Sequence, residues 1–180
     1  MACVGDKIVA AAQADLGSPN DFGTPGAFCS VAVKKWMDAA GAPIAGSPGA
    51  KTTKAQFEAK GLWLPVSRIR ENPEIVKSGM IAVWHRGEPG ACTGHIGIVT
   101  GPVVGGGFPT IEANAAPTVS RFKRDLGADN LLGMGYFPCE IEGSNALLVV
   151  GAVAAGAAGV WLALRDAKVR RWLRLPRLQR

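Results

Sequence analysis

A thiol and an imidazole held together can cleave an amide. The imidazole takes the thiol proton, the thiolate attacks the carbonyl, and a third polar side chain fixes the imidazole tautomer. The 180-residue chain holds two histidines and four cysteines, so the candidates are few. Cys29 heads the stretch "FCSVAVKKWMDAAG", in which small or apolar residues recur at Ala32, Val33, Trp36, Met37 and Ala40. That spacing is one stripe of an amphipathic helix, and Gly41 and Pro43 stop it. Cys29 thus falls in the first turn, on the inward stripe. Two readings are open there: a small, inert core residue, or a thiol made reactive by the helix dipole.

The histidines lie in "GMIAVWHRGEPGACTGHIGIVTGPV", which predicts a strand from Met80 to His85, a Gly/Pro-rich connection, and a second strand from His95 to Thr100. His85 adjoins the polar turn "RGE" and reads as a solvated strand end. His95 sits between Gly94 and Gly97 at the start of an apolar run, where glycine leaves room for close approach. It reads equally as a core histidine or as a base. "TIEANAAP", from Thr110 to Pro117, reads as a further strand, which would point Glu112 and Asn114 to one face. Such a pair could orient an imidazole, or could simply face solvent. "LGMGYFP", from Leu132 to Pro138, supplies a closing strand. "CTGH", Cys92 to His95, has metal-ligand spacing, but a tetrahedral site would need Cys3 and Cys139 to converge on it. Neither a metal nor an organic cofactor is expected.

Helix with cysteine, hairpin with histidine, and strand with Glu and Asn together predict an α+β domain in which N-terminal helices pack on an antiparallel sheet. The chain order Cys, His, polar third residue resembles that of papain-like cysteine hydrolases. More closely, "AFCSVAVKKWMDAAG", "GMIAVWHR", "GHIGIVTG" and "IEAN" resemble the successive signatures of CHAP domains. These are cysteine- and histidine-dependent amidohydrolases or peptidases acting on bacterial peptidoglycan. The resemblance spans residues 1–138. It implies Cys29 as nucleophile, His95 as base, and Glu112 and Asn114 as the orienting pair. The chain departs from the pattern at Gly79–Met80, where the family has an acidic residue after glycine, and at Phe28, where tryptophan is usual. With no histidine after His95, it is unlike the related NlpC/P60 peptidases, which often use a second histidine as third residue.

The last part of the chain differs in character. Residues 139–144 read as a linker. Asn145 to Leu164, "NALLVVGAVAAGAAGVWLAL", has no charge over 20 residues, enough to cross a bilayer as one helix of about 30 Å. Residues 165–180 carry seven Lys/Arg and one acidic residue, which accounts for the chain's net +6. The basic charge therefore belongs to a juxtamembrane tail facing anionic headgroups, and a nucleic-acid partner is not expected. Gly151, Ala155 and Gly159 form a small-residue stripe on which two such helices could pair. The N-terminus carries Asp6 and Lys7 within its apolar run and reads as a domain helix, not a secretory signal. A membrane-anchored wall hydrolase of this kind resembles a bacteriophage product, sited in a virion membrane or on the host's inner membrane. Two alternatives stand beside it: a non-catalytic anchored module that binds wall or partner, and a papain-like protease acting on protein.

Overall fold

The computed structural model describes residues 2–20, 28–46, 49–86 and 94–138. The chain divides into a unit Met1–Gly143 and a second unit Ser144–Arg180. The linker, the apolar segment 145–164 with its small-residue stripe, the basic tail, Cys92 and Cys139 lie outside the described residues. Among the described residues, no helix is long and apolar enough to cross a membrane.

The first unit is α+β. Its helices are α1 (Val4–Ala14), α2 (Phe28–Ala39), α3 (Ala50–Ala59) and α4 (Val66–Glu71), followed by a 3-10 turn at Pro73–Ile75. The strands are β1 (Trp63–Pro65), β2 (Ile81–His85), β3 (Gly94–Val99), β4 (Gly107–Glu112), β5 (Ser120–Asp125) and β6 (Leu131–Gly135). They form one antiparallel sheet in the order β1-β6-β2-β3-β4-β5. β6, the last strand in the sequence, lies between β1 and β2 in the sheet.

The stripe that predicts α2 is buried throughout: Cys29, Ala32, Val33, Trp36, Met37 and Ala40 all face the interior. α2 ends in a Schellman arrangement. Gly41 takes φ 66°, its N–H bonds the Asp38 carbonyl at 3.0 Å, and the Ala42 N–H bonds the Met37 carbonyl at 3.0 Å. α1 is tied to α2 through Asp15, which accepts Trp36 Nε1–H at 2.8 Å and Lys35 Nζ at 2.7 Å.

Strand alternation gives the sheet two different faces. Ile81 and Val83 of β2, Ile96 and Ile98 of β3, and Ile111 of β4 lie in register and form the core with α1, α2 and Phe57 of α3. The opposite face carries Ala82, Trp84, His95, Gly97, Phe108, Thr110, Glu112, Phe122 and Arg124. Trp84 stacks on Phe108 there, with centroids 6.2 Å apart and planes 8° from parallel. The connection after β5 is fastened by Arg70, which donates to the carbonyls of Leu126 at 3.1 Å and Ala128 at 3.0 Å.

The strand expected over Thr110–Pro117 is displaced toward the N-terminus. It runs from Gly107 to Glu112, and Asn114 takes a left-handed φ of 63° in the turn that follows. Asn is among the few residues that tolerate this conformation, and the turn takes Asn114 off the strand face it was expected to share with Glu112.

Close packing fixes how α3 meets the sheet. A Cβ placed on Gly135 would stand 2.6 Å from the ring of Phe57, which is fully buried and meets Phe137 edge to face at 5.6 Å. Gly135→Ala is therefore expected to lower unfolding stability by about 1–3 kcal/mol in urea titration. Phe57→Leu in the same chain should return part of that loss, giving a non-additive double-mutant cycle.

Candidate functional site

Three of the four residues singled out from the sequence converge. Cys29 stands in the first turn of α2, His95 second in β3, and Glu112 last in β4. Their relative exposures are 5%, 7% and 0%. Asn114 lies beyond the strand end, half-buried, and makes no hydrogen bond to His95. His85 ends β2, paired with Gly94 next to the Trp84–His95 pair, and takes no part in the hydrogen bonds of this cluster.

The centre of the arrangement is the Glu112 carboxylate. His95 donates from Nε2 to Oε2 at 2.5 Å, and Thr110 donates from Oγ1 to Oε1 at 2.5 Å. Arg124 donates from Nε to Oε1 at 2.7 Å and from Nη2 to Oε2. Two donors on each oxygen fill the capacity of an ionised carboxylate. Thr110 reaches Glu112 because residues two apart share a strand face, and Arg124 reaches it from β5 by lying over the ring of Phe122, 4.8 Å from its centroid.

Gly97 is what lets Glu112 reach His95. A Cβ at Gly97 would stand 2.5 Å from Glu112 Cγ and 3.2 Å from its Cδ. The glycine thus leaves the space through which the carboxylate passes beneath β3 toward the imidazole.

Cys29 comes from the other side of the sheet. β3 and β4 pair at Ile98–Ile111 and Val99–Thr110, and then part as the chain turns after Glu112. The Ile96 N–H, left without a ladder partner on β4, faces Cys29 and helps to lower its thiol. Ser30 Oγ lies 3.9 Å from the Cys29 sulfur. With Nε2 committed to Glu112, Nδ1 is the imidazole nitrogen left for the thiol. It is buried and has no hydrogen-bond partner among the described residues.

These contacts set the protonation states. Burial alone raises the Cys29 thiol, but hydrogen bonding and charge interaction with His95, with help from Ser30 and Ile96, hold it below the ordinary value. Burial alone lowers His95, but its hydrogen bonds with Cys29 and Glu112 raise it to about 9. Burial raises Glu112, but Arg124, His95 and Thr110 outweigh that and bring it to about 2. Near neutral pH the imidazolium, carboxylate and guanidinium therefore alternate in sign, and the Cys29 thiol beside them is held below its ordinary value. A thiolate beside an imidazolium is the reactive form of a cysteine nucleophile.

Sequence reading missed Arg124 and Thr110. The run "SRFKRD" does alternate, with Ser120, Phe122 and Arg124 half-buried and Arg121, Lys123 and Asp125 exposed. Its inward side, however, holds one apolar residue, so it carries little hydrophobic periodicity. Among the described residues no group of three or more His, Cys, Asp or Glu could hold a metal ion. A cleft of about 460 Å³ adjoins the relay, bordered by Trp84, His95 and Arg124 of the sheet and by Ala128 and Asn130 of the connection after β5. No family model, curated protein or solved structure matches this chain.

The shifts fix a pH dependence. Glu112 lies below its ordinary 4.5, so its contribution to stability is complete above that value and is lost as pH falls toward about 2. His95 lies above its ordinary 6.5, so its contribution is complete below 6.5 and is lost as pH rises through about 9. An activity that needs the thiolate–imidazolium pair should fall on the alkaline side near pH 9, as a property of the pair. Glu112→Gln removes the charge that sustains the imidazolium. It should move that limb downward and reduce kcat by about 10²–10⁴-fold, read from the pH profile of kcat.

Proposed function

We propose that this chain is a cysteine-dependent peptidoglycan hydrolase that cleaves an amide of the bacterial wall as an amidase or endopeptidase, held at a membrane by residues 145–164. The observation that carries the reading is the burial together of Cys29, His95 and Glu112, with His95 held on the Glu112 carboxylate at 2.5 Å and Nδ1 left open on its other side. The substrate class comes from the resemblance of the four sequence signatures to CHAP domains, whose Cys, His and Glu positions are these same residues.

Cys29 sulfur adds to the scissile carbonyl carbon and forms a tetrahedral intermediate. First-turn amides of α2, which have no partner within the helix, are the donors for its oxyanion. His95 gives its Nδ1 proton to the departing amine nitrogen, the C–N bond breaks, and a thioester remains on Cys29. Neutral His95 then takes a proton from water, the hydroxide displaces sulfur, and the carboxylic acid product leaves with the thiolate restored. Glu112 keeps Nε2 protonated throughout, so that Nδ1 is always the working nitrogen.

The tail completes the proposal. Twenty uncharged residues are held in a bilayer by apolar burial, whereas seven basic residues alone would hold by headgroup charge, which salt screens. A bacteriophage enzyme of the virion membrane or of the host's inner membrane fits a hydrolase carrying such an anchor.

Turbidity of purified walls tests the chemistry. The chain should clear them, and Cys29→Ser should lower the rate by about 10³-fold or more while leaving the circular dichroism spectrum unchanged. Near-normal clearing by the serine variant would sink the nucleophile assignment. Fractionation tests the anchor: the full chain should stay with membranes through molar salt and carbonate, and release by salt alone would reduce residues 145–180 to a sticky basic tail.

A further inference from the structure

Arg124 has more donors than Glu112 uses. Nε and Nη2 go to the carboxylate, while Nη1 has no hydrogen-bond partner among the described residues. The side chain is 32% exposed and borders the cleft beside His95, whereas Glu112 beneath it is fully buried. One edge of the guanidinium is thus spent inside the protein, and the rest is turned to the cleft. Its plane is held by Phe122 at 4.8 Å and Trp84 at 5.5 Å, so the free edge is presented in a fixed direction.

The cleft favours an anion. Arg86 borders it as well. The acidic residue at its margin, Asp125, faces away from the Arg124 side of β5, where its Oδ1 accepts the Gly127 N–H at 2.8 Å. Lys123 lines the cleft too, with its stem passing against Gly107 of the neighbouring strand. The floor is the buried Trp84 ring, 5.5 Å from the His95 imidazole. A planar fork of N–H donors beside an aromatic floor matches a carboxylate.

We infer that the cleft bounded by Trp84, His95 and Arg124 is a substrate subsite that binds a carboxylate near the scissile amide through the free edge of Arg124. The inference rests on the hydrolase reading above. It makes Arg124 a residue with two duties, holding Glu112 with one edge and substrate with the other. A bound carboxylate would lie beside the His95 imidazole, which borders the same cleft.

Two peptides test it: a wall stem peptide with its carboxylates free, and the same peptide with every carboxylate amidated. For the full chain, kcat/KM should favour the free acid by about tenfold or more. Asn130→Asp, which sets a negative charge at the cleft rim with almost no change in size, should bring the ratio toward unity, chiefly through KM for the acid. Equal kcat/KM for both peptides in the unaltered chain would overturn the subsite and leave the hydrolase intact. Binding of the two peptides to the full-length Cys29→Ala chain, followed by calorimetry, needs no turnover. Tighter binding of the free acid supports the subsite even if hydrolysis fails, and equal or weaker binding overturns it.

Discussion

A carboxylate with no exposure to water is the constraint on which the site depends. Removing such a charge from solvent costs several kcal/mol, and only a complete set of donors compensates for it. Glu112 has that set, with Thr110, His95 and both nitrogens of one guanidinium edge. Each donor imposes a structural requirement. Thr110 must sit two residues earlier on the same strand face. His95 must come from a neighbouring strand across a position without a Cβ. Arg124 must come from β5, where it pairs with Phe108 while Glu112 pairs with Ser120. Those pairings are four residues apart, about 13 Å of strand. Only two long side chains leaning toward each other can close that gap, and the ring of Phe122 is the surface on which the arginine leans.

Alternation of sign is what makes the remaining burial tolerable. Imidazolium, carboxylate and guanidinium each have an opposite charge as nearest neighbour, and the Cys29 thiol, held below its ordinary value, stands at the imidazolium end. In a site shielded from water these attractions are stronger than at a surface. They shift Cys29 down and His95 up together, because each charged form stabilises the other. Arg124 bears on this at one remove. It keeps Glu112 ionised, and an ionised Glu112 keeps His95 charged.

The parts of the fold that bury hydrocarbon were legible in the sequence, and the parts that bury polar groups were not. The stripe from Cys29 to Ala40 announced α2 because its inward residues are apolar. The hairpin of His85 and His95 was legible for the same reason: Ile81, Val83, Ile96 and Ile98 face the core. β5 was not, since its inward face serves the site with Ser120, Phe122 and Arg124, and polar residues on alternate positions resemble a solvated loop. Asn114 shows a different failure. Alternation in "TIEANAAP" continues past the point where the strand stops, and the left-handed φ at Asn114 leaves no trace in residue type beyond the asparagine itself. Glu112 was identifiable as a candidate; that its charge is shared with an arginine twelve residues on depends on strand register, which no local pattern encodes.

Register is itself stabilised by the chemistry. A strand displaced by one residue turns every side chain to the opposite face of the sheet. For β4 that slip would carry Glu112 from the polar face into the core formed by Ile96, Ile98 and the helices, where no donor awaits it, and would bring Ile111 onto Arg124. The first change leaves a buried charge unpaired and the second leaves a guanidinium without its carboxylate. Ordinary β-sheets discriminate against slipped registers through hydrophobic alternation alone. Here β4 has little of it to spare, since Phe108 on the polar face is as buried as Ile111 on the apolar one. The ion pair supplies the discrimination that alternation lacks. The same pair that sets the charge of His95 therefore also selects the strand pairing that brings His95, Glu112 and, through the gap after Glu112, Cys29 into one place.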